Sequence, residues 1–155
     1  MGHEAVQEFL AQKGFEGKIT LLEQSTATVE LAAAALGVEP GRIAKTLAFA
    51  QPDGCVVVVV SGTARIDNKK YKAAFGCKAK MPGLEETLEA TGHPVGGVCP
   101  FALPEGVRVF LDQTLRSYDV VHPAAGAPNA SVRLTVEQLE ALTGGQWVDV
   151  CQEQE

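Results

Sequence analysis

No stretch of this 155-residue chain is both long and apolar enough to cross a bilayer. The longest unbroken apolar runs, Cys55 to Val60 and the equally long Leu31 to Leu36, fall far short of the roughly 20 residues a spanning helix needs. The opening Met1-Gly2-His3-Glu4 lacks the cationic start and apolar stretch of a signal peptide. No membrane partner is expected, and the cytoplasm is the expected location. The four cysteines, Cys55, Cys77, Cys99 and Cys151, form no CxxC pair, so spacing supports neither a zinc ribbon nor a dithiol redox motif. His3, His93 and His122 lack ligand spacing such as HxxxH, and no metal site is expected. GxxxxGK[ST] and GxGxxG are both absent, and no cofactor is expected. Apolar residues make up 46% and charged residues 21% of the chain, ordinary globular usage that excludes disorder, collagen-like repeats and a coiled coil. Residues 1–155, at 16.3 kDa, fit one compact domain able to bury a core without disulfide or metal.

Negative charge dominates, but unevenly. The net charge is -6, yet Arg65, Lys69, Lys70, Lys72, Lys78 and Lys80 face a single nearby anion, Asp67, which leaves -11 on the remaining chain. Such a run is either a solvated helix face or a phosphate-contacting patch on an acidic body, and charge alone does not choose.

Hydrophobic spacing predicts a first helix through Val6, Phe9, Leu10 and Lys13, ended by Gly14. A short strand is expected from Lys18 to Glu23, and a second helix from Val29 to Leu36, with Thr26 or Thr28 as cap and Gly37 as stop. Ile43 to Ala50 and Cys55 to Val60 read as a hairpin turning on Asp53-Gly54, its second strand apolar on both faces and therefore central. Helices are predicted over Asp67 to Phe75 and Leu84 to Ala90. His93 to Pro100 holds two prolines and two glycines, which forbids regular structure. Val107 to Leu111, Val120 to His122, Ser131 to Leu134 and Trp147 to Val150 are strand candidates; Thr135-x-x-Gln138 is a capping box opening a helix to Leu142. Adjacent strands interspersed with helices, without regular alternation, predict an α+β fold on a mixed, mostly antiparallel sheet.

Along Ile43 to Ala50 the two-residue period puts Lys45 on one face with Ile43, Leu47 and Phe49. A lysine there either snorkels to the strand end or stands as a fixed cation on a pocket wall, because burying an unpaired ammonium is costly. The Gly96 to Pro100 loop has glycines that let backbone N–H groups approach a ligand, or is simply a tight turn. Cys99, with His93 or His122 as base, is a candidate nucleophile, but no spacing ties either histidine to it, and a structural thiol is the plainer reading.

Ala35-Leu36-Gly37-Val38 leading to Ile43-Ala44-Lys45-Thr46-Leu47, then Val60-Ser61-Gly62 with Asp67 and the following lysines, then Thr91 to Pro100, resembles the YbaK-type prolyl-tRNA editing domain family, free-standing relatives of the editing domain of bacterial prolyl-tRNA synthetase. The resemblance runs from about Ala5 to Val150. It implies an α+β fold on a partly closed, mostly antiparallel sheet and hydrolysis of an amino acid wrongly esterified to tRNA, usually tRNA(Pro). It places Lys45 at the essential lysine and Gly96 and Pro100 at the ends of a GxxxP substrate loop that includes Gly97 and Val98. Arg65, Lys69, Lys70 and Lys72 then become acceptor-stem contacts, a prolyl-tRNA synthetase or elongation factor a possible partner, and DNA no partner. The late loop Gly126-Ala127-Pro128-Asn129 lacks the Gly-x-Arg-Gly segment of cysteine-directed members, which points to another small amino acid, with Asn129 as a candidate pocket residue. A non-catalytic tRNA- or synthetase-binding module of the same fold is the alternative.

Overall fold

The computed structural model describes residues 3–15, 17–23, 28–94 and 97–153. At its centre lies the expected hairpin, β2 (Ile43–Gln51) and β3 (Gly54–Ser61), paired in unbroken antiparallel register from Ala44–Ser61 to Gln51–Gly54. Strand β3 is buried on both faces. Val59 joins a core with Val6 and Leu10 of helix α1 (His3–Gln12), while Val56, Val58 and Val60 join a second core on the other face. Fully buried valines suit this strand, because a central strand exposes neither face to water.

Parallel strands flank the hairpin. On the β3 side come β4 (Arg108–Asp112) and β8 (Gln146–Val148); on the β2 side come β5 (Val120–Pro123) and then, antiparallel to it, β7 (Leu134–Thr135). The sheet is mixed, as expected, with its antiparallel pairing concentrated in the hairpin. The β3-to-β4 connection carries α3 (Asn68–Phe75) and α4 (Leu84–Thr91), long enough to cross over and return in parallel. The strand expected from Ser131 to Leu134 is split. β6 (Ala130–Ser131) pairs with the two-residue β1 (Thr20–Leu21) in a separate sheet, and β7 turns back to β5.

Capping fixes the helices. Asp67 accepts the Lys69 and Lys70 amides at the start of α3, and Gly76 ends it in the left-handed region at φ 75°. The Thr135–Gln138 capping box is present on α5 (Val136–Thr143). Helix α2 (Val29–Leu36) is capped by Thr28; the other candidate, Thr26, lies outside the described residues. Helix α3 rests on the second core through Tyr71, whose ring sits 4.9 Å from Phe49 and 4.6 Å from Phe75.

Two buried polar anchors hold the sheet ends. Asp112 is fully buried and accepts the Val150 amide on one carboxylate oxygen and the Thr114 amide on the other. Ser61 Oγ donates to the Gly41 carbonyl at 2.8 Å.

Candidate active site along the open edge of β2

The strand pairings leave one edge of β2 unclosed. β5 meets β2 only at Ile43 and Ala44, whereas β3 follows it from Ala44 onward. At the far end, the Ala50 amide donates across this edge to the Lys80 carbonyl at 2.8 Å. Antiparallel strands alternate, so the N–H and C=O of Ala48 and Thr46 point the same way as those of Ala50. No strand pairs there among the described residues.

A cavity of about 470 Å³ lies against this edge. Its floor is β2 from Ile43 to Ala48; one wall is α2 through Val29 and Ala32, another the segment Met81 to Leu84 with Thr87 of α4. Val98, and His122, Ala124, Ala130 and Ser131 of the late strands, complete the lining. Most of this surface is apolar and made of small side chains, the character of a pocket for a small ligand with few polar fixing points.

Lys45 is the cation of the cavity. Its stem is half-buried and its Nζ donates to the Ala64 carbonyl at 2.9 Å. One of three ammonium donors is thereby fixed, and the side chain is held rather than trailing into solvent. Burial pulls its pKa below the usual lysine value, with the Arg65 charge acting the same way and Cys151 and Glu30 opposing. His122, in register with Ile43 and therefore on the face of the sheet that carries Lys45, is half-buried. Burial, then the Arg133 and Arg42 charges, hold it below the ordinary histidine value, so at neutral pH it is an uncharged imidazole. Thr46 also lines the cavity, and its Oγ1 is buried without a hydrogen-bond partner.

The other residues singled out in the sequence are more scattered. Gly96 lies outside the described residues. Val98 faces the cavity, whereas Pro100 is buried in the protein. The Gly97 N–H is already spent on the Pro94 carbonyl at 2.9 Å. A side chain at Gly97 would come within 2.9 Å of the Ala127 backbone, so this glycine lets the Val98 loop press on the late loop. Asn129 does not line the cavity. Its amide donates to the Leu22 carbonyl at 3.0 Å while the Leu22 amide donates back to the Asn129 carbonyl, tying β1 to β6; Ala130 and Ser131 take the wall instead.

Among the cations, Arg65 is close enough to Lys45 to act on its charge. Lys70 is paired with Asp149 at 3.2 Å, and Lys69 and Lys72 are exposed on α3. Cys99 sits 3.5 Å from His93 Nε2, a pairing invisible in the spacing. That nitrogen lies 2.7 Å from the Phe101 carbonyl and must carry its proton to donate there. Burial pushes the Cys99 thiol up to about 12. A neutral thiol sealed in the core is not a nucleophile.

Comparison with known proteins agrees with this architecture. A profile of the aminoacyl-tRNA editing domain matches residues 23–142. The chain is 41% identical to the uncharacterised protein YwhH of Bacillus subtilis strain 168 over the whole of both chains. It is 31% identical to EbsC of Enterococcus faecalis, a candidate Cys-tRNA(Pro)/Cys-tRNA(Cys) deacylase, over 79% of this chain and 76% of that one. A crystal structure of a candidate trans-editing enzyme for prolyl-tRNA synthetase superposes with a TM-score of 0.91 at 36% identity, covering 97% of each chain. Proline–tRNA ligase of Thermosipho melanesiensis is 37% identical over 57% of this chain, which corresponds to 16% of the ligase. With an editing-domain profile across most of its length and free-standing relatives that match it end to end, this chain belongs to the aminoacyl-tRNA editing domain family.

Proposed function

We propose that the protein is a trans-acting deacylase that hydrolyses the ester joining a small wrong amino acid to tRNA(Pro). The observation that carries this reading is the Lys45 ammonium, anchored on the Ala64 carbonyl beside a small apolar cavity that runs along an open strand edge.

An aminoacyl ester is already activated, so little nucleophilic machinery is needed. Water adds to the ester carbonyl carbon, the bond to the ribose oxygen breaks, and the proton from water leaves with that oxygen to restore the tRNA hydroxyl. The rate depends on holding the carbonyl and stabilising the oxyanion that develops on it. Lys45 supplies a fixed positive charge. The outward N–H groups of Thr46 and Ala48 supply donors that need no reorganisation, a role that the Gly97 N–H cannot fill while it serves Pro94. The small side chains of Ala32, Ala44, Ala48, Ala124 and Ala130 leave room for a small aminoacyl group. The absence of a Gly-x-Arg-Gly segment in the late loop favours an amino acid other than cysteine.

The cavity is sized for the aminoacyl end, so selectivity for one tRNA comes from the acceptor stem, through Arg65, Lys69, Lys70 and Lys72, or from a partner such as prolyl-tRNA synthetase or an elongation factor. Incubating the purified protein with tRNA(Pro) charged with alanine, cysteine, serine, threonine or aminobutyrate tests the reading. Release of at least one non-cysteine amino acid is expected. Salt-sensitive tRNA binding with no release from any of the five would replace the deacylase by a non-catalytic binding module.

A further inference from the structure

Five large apolar side chains are exposed among the described residues; one, Leu21, is on β1, and the other four gather on two elements. Leu31, Met81, Leu84 and Leu88 lie on α2 or on the 81–88 segment, the two elements that wall the cavity. Met81 is 62% and Leu84 71% exposed, yet both also line the cavity, which places them at its mouth. Apolar side chains left uncovered at a pocket entrance mark a contact surface for something that binds there.

The rim is held with these side chains outward. The Lys80 carbonyl is fixed by the Ala50 amide, Ala79 turns into the second core, and Lys78 and Lys80 on either side of it are exposed. After Pro82, Thr87 Oγ1 donates to the Gly83 carbonyl at 2.8 Å and secures the entry into α4. A cationic pair thus leads along the chain into an apolar rim.

We propose that Met81 and Leu84 seat the terminal nucleobase of the tRNA, with Lys78 and Lys80 facing the phosphates that precede it. The inference rests on the reading that the cavity holds an aminoacyl ester. If the ester carbonyl lies by Lys45, its ribose occupies the mouth, and the base attached to that ribose reaches the rim. Every base offers a flat apolar face, and a thioether and a branched alkyl chain pack on such a face without reading its edge. That suits an end shared by all tRNAs. The lysines supply the matching charge.

Met81 is one of only two methionines, so methionine-methyl labelling gives it a resolvable NMR signal. The probes are a stable amide analogue, 3′-alanylamido-3′-deoxyadenosine, and alaninamide, which lacks the nucleoside. The Met81 methyl is expected to move upfield, by the ring current of a stacked base, with the adenosine analogue and not with alaninamide. Leu84→Asp should weaken the adenosine analogue at least about fivefold, the lower end of what one base stacked on a side chain contributes. No Met81 shift at millimolar adenosine analogue overturns the inference, as does an equal shift with both probes. A Met81 signal that moves with protein concentration alone also overturns it, by showing that a second copy covers the rim. Failure of the cavity reading is seen separately, as an absence of hydrolysis of any aminoacyl ester.

Discussion

The Lys45 ammonium is pinned to the Ala64 carbonyl at 2.9 Å, so a residue of β2 is held by the loop that follows β3. That contact turns a long, flexible side chain into a charge of fixed position, the condition for electrostatic stabilisation of a developing oxyanion. The position of the cation is thereby set jointly by β2 and by the buried Ala64 just beyond β3.

Cys99 is expected to be dispensable for chemistry. Its thiol, pushed up to about 12, stays protonated at neutral pH and does not line the cavity. Cys99→Ala should keep the deacylation rate within about twofold while costing on the order of 1–2 kcal/mol of stability for the lost core volume, read by chemical denaturation. Loss of activity in a folded Cys99→Ala protein would contradict this.

Acid should loosen the fold before it protonates the carboxylates. His93 and His122 are both held below 6.5 by burial first, so the unfolded chain binds more protons as pH falls through 6.5. Stability is therefore lost as pH drops below about 6.5 and levels off once the folded-state pKa values are passed. His93 Nδ1 is buried without a partner, and protonating it would bury a charge. Melting curves from pH 7.5 to 5 should show this decline, reduced in His93→Gln relative to its own neutral-pH value. An unchanged slope in that variant would contradict the assignment to His93.

Gly97→Ala should damage the site through the contact between two loops. The added methyl would meet the Ala127 backbone at 2.9–3.0 Å, which no side-chain rotation relieves. A cost of about 1–3 kcal/mol is expected, with a raised KM for the aminoacyl-tRNA because Val98 shifts with the loop. Wild-type KM and melting temperature would show that the two loops do not press together as described.

Asp112→Ala should be the most destabilising of these changes. It strips a buried carboxylate from two amides, Val150 and Thr114, and frees both the end of β4 and the C-terminal segment. A loss of about 3 kcal/mol or more is expected in urea unfolding. Less than about 1 kcal/mol would mean that water replaces the carboxylate at little cost.

Much of the fold was legible because it is written in local chemistry. The Pro52-Asp53 turn ahead of Gly54, the two-faced apolar run of β3, the Asp67 cap and the Thr135–Gln138 box need only near neighbours in sequence. Lys45 was legible for the same reason, from strand alternation. What was not legible depends on long-range register. The cavity exists because β5 leaves β2 after Ala44, and no pattern within β2 announces that departure. The place of Asn129 depends on a similarly distant contact: its partner, Leu22, lies more than a hundred residues away, across the separate β1–β6 pair. Leu84 reads in sequence only as the start of a helix and Met81 carries no signal, and only their exposure beside the cavity gives them a role. In sequence His122 reads as a strand residue and a candidate base for Cys99, whereas its register with Ile43 sets it on the cavity wall.

Single-turnover deacylation of mischarged tRNA(Pro) by Lys45→Ala, beside the wild type, tests the central claim most directly. With folding preserved, the rate should fall at least about tenfold, equivalent to ~1.4 kcal/mol of transition-state stabilisation. Lys45→Arg should fail to restore it, because a planar fork on a longer stem cannot take the place of a compact ammonium held on the Ala64 carbonyl. Full activity in both variants, at an unchanged melting temperature, would remove Lys45 from the mechanism.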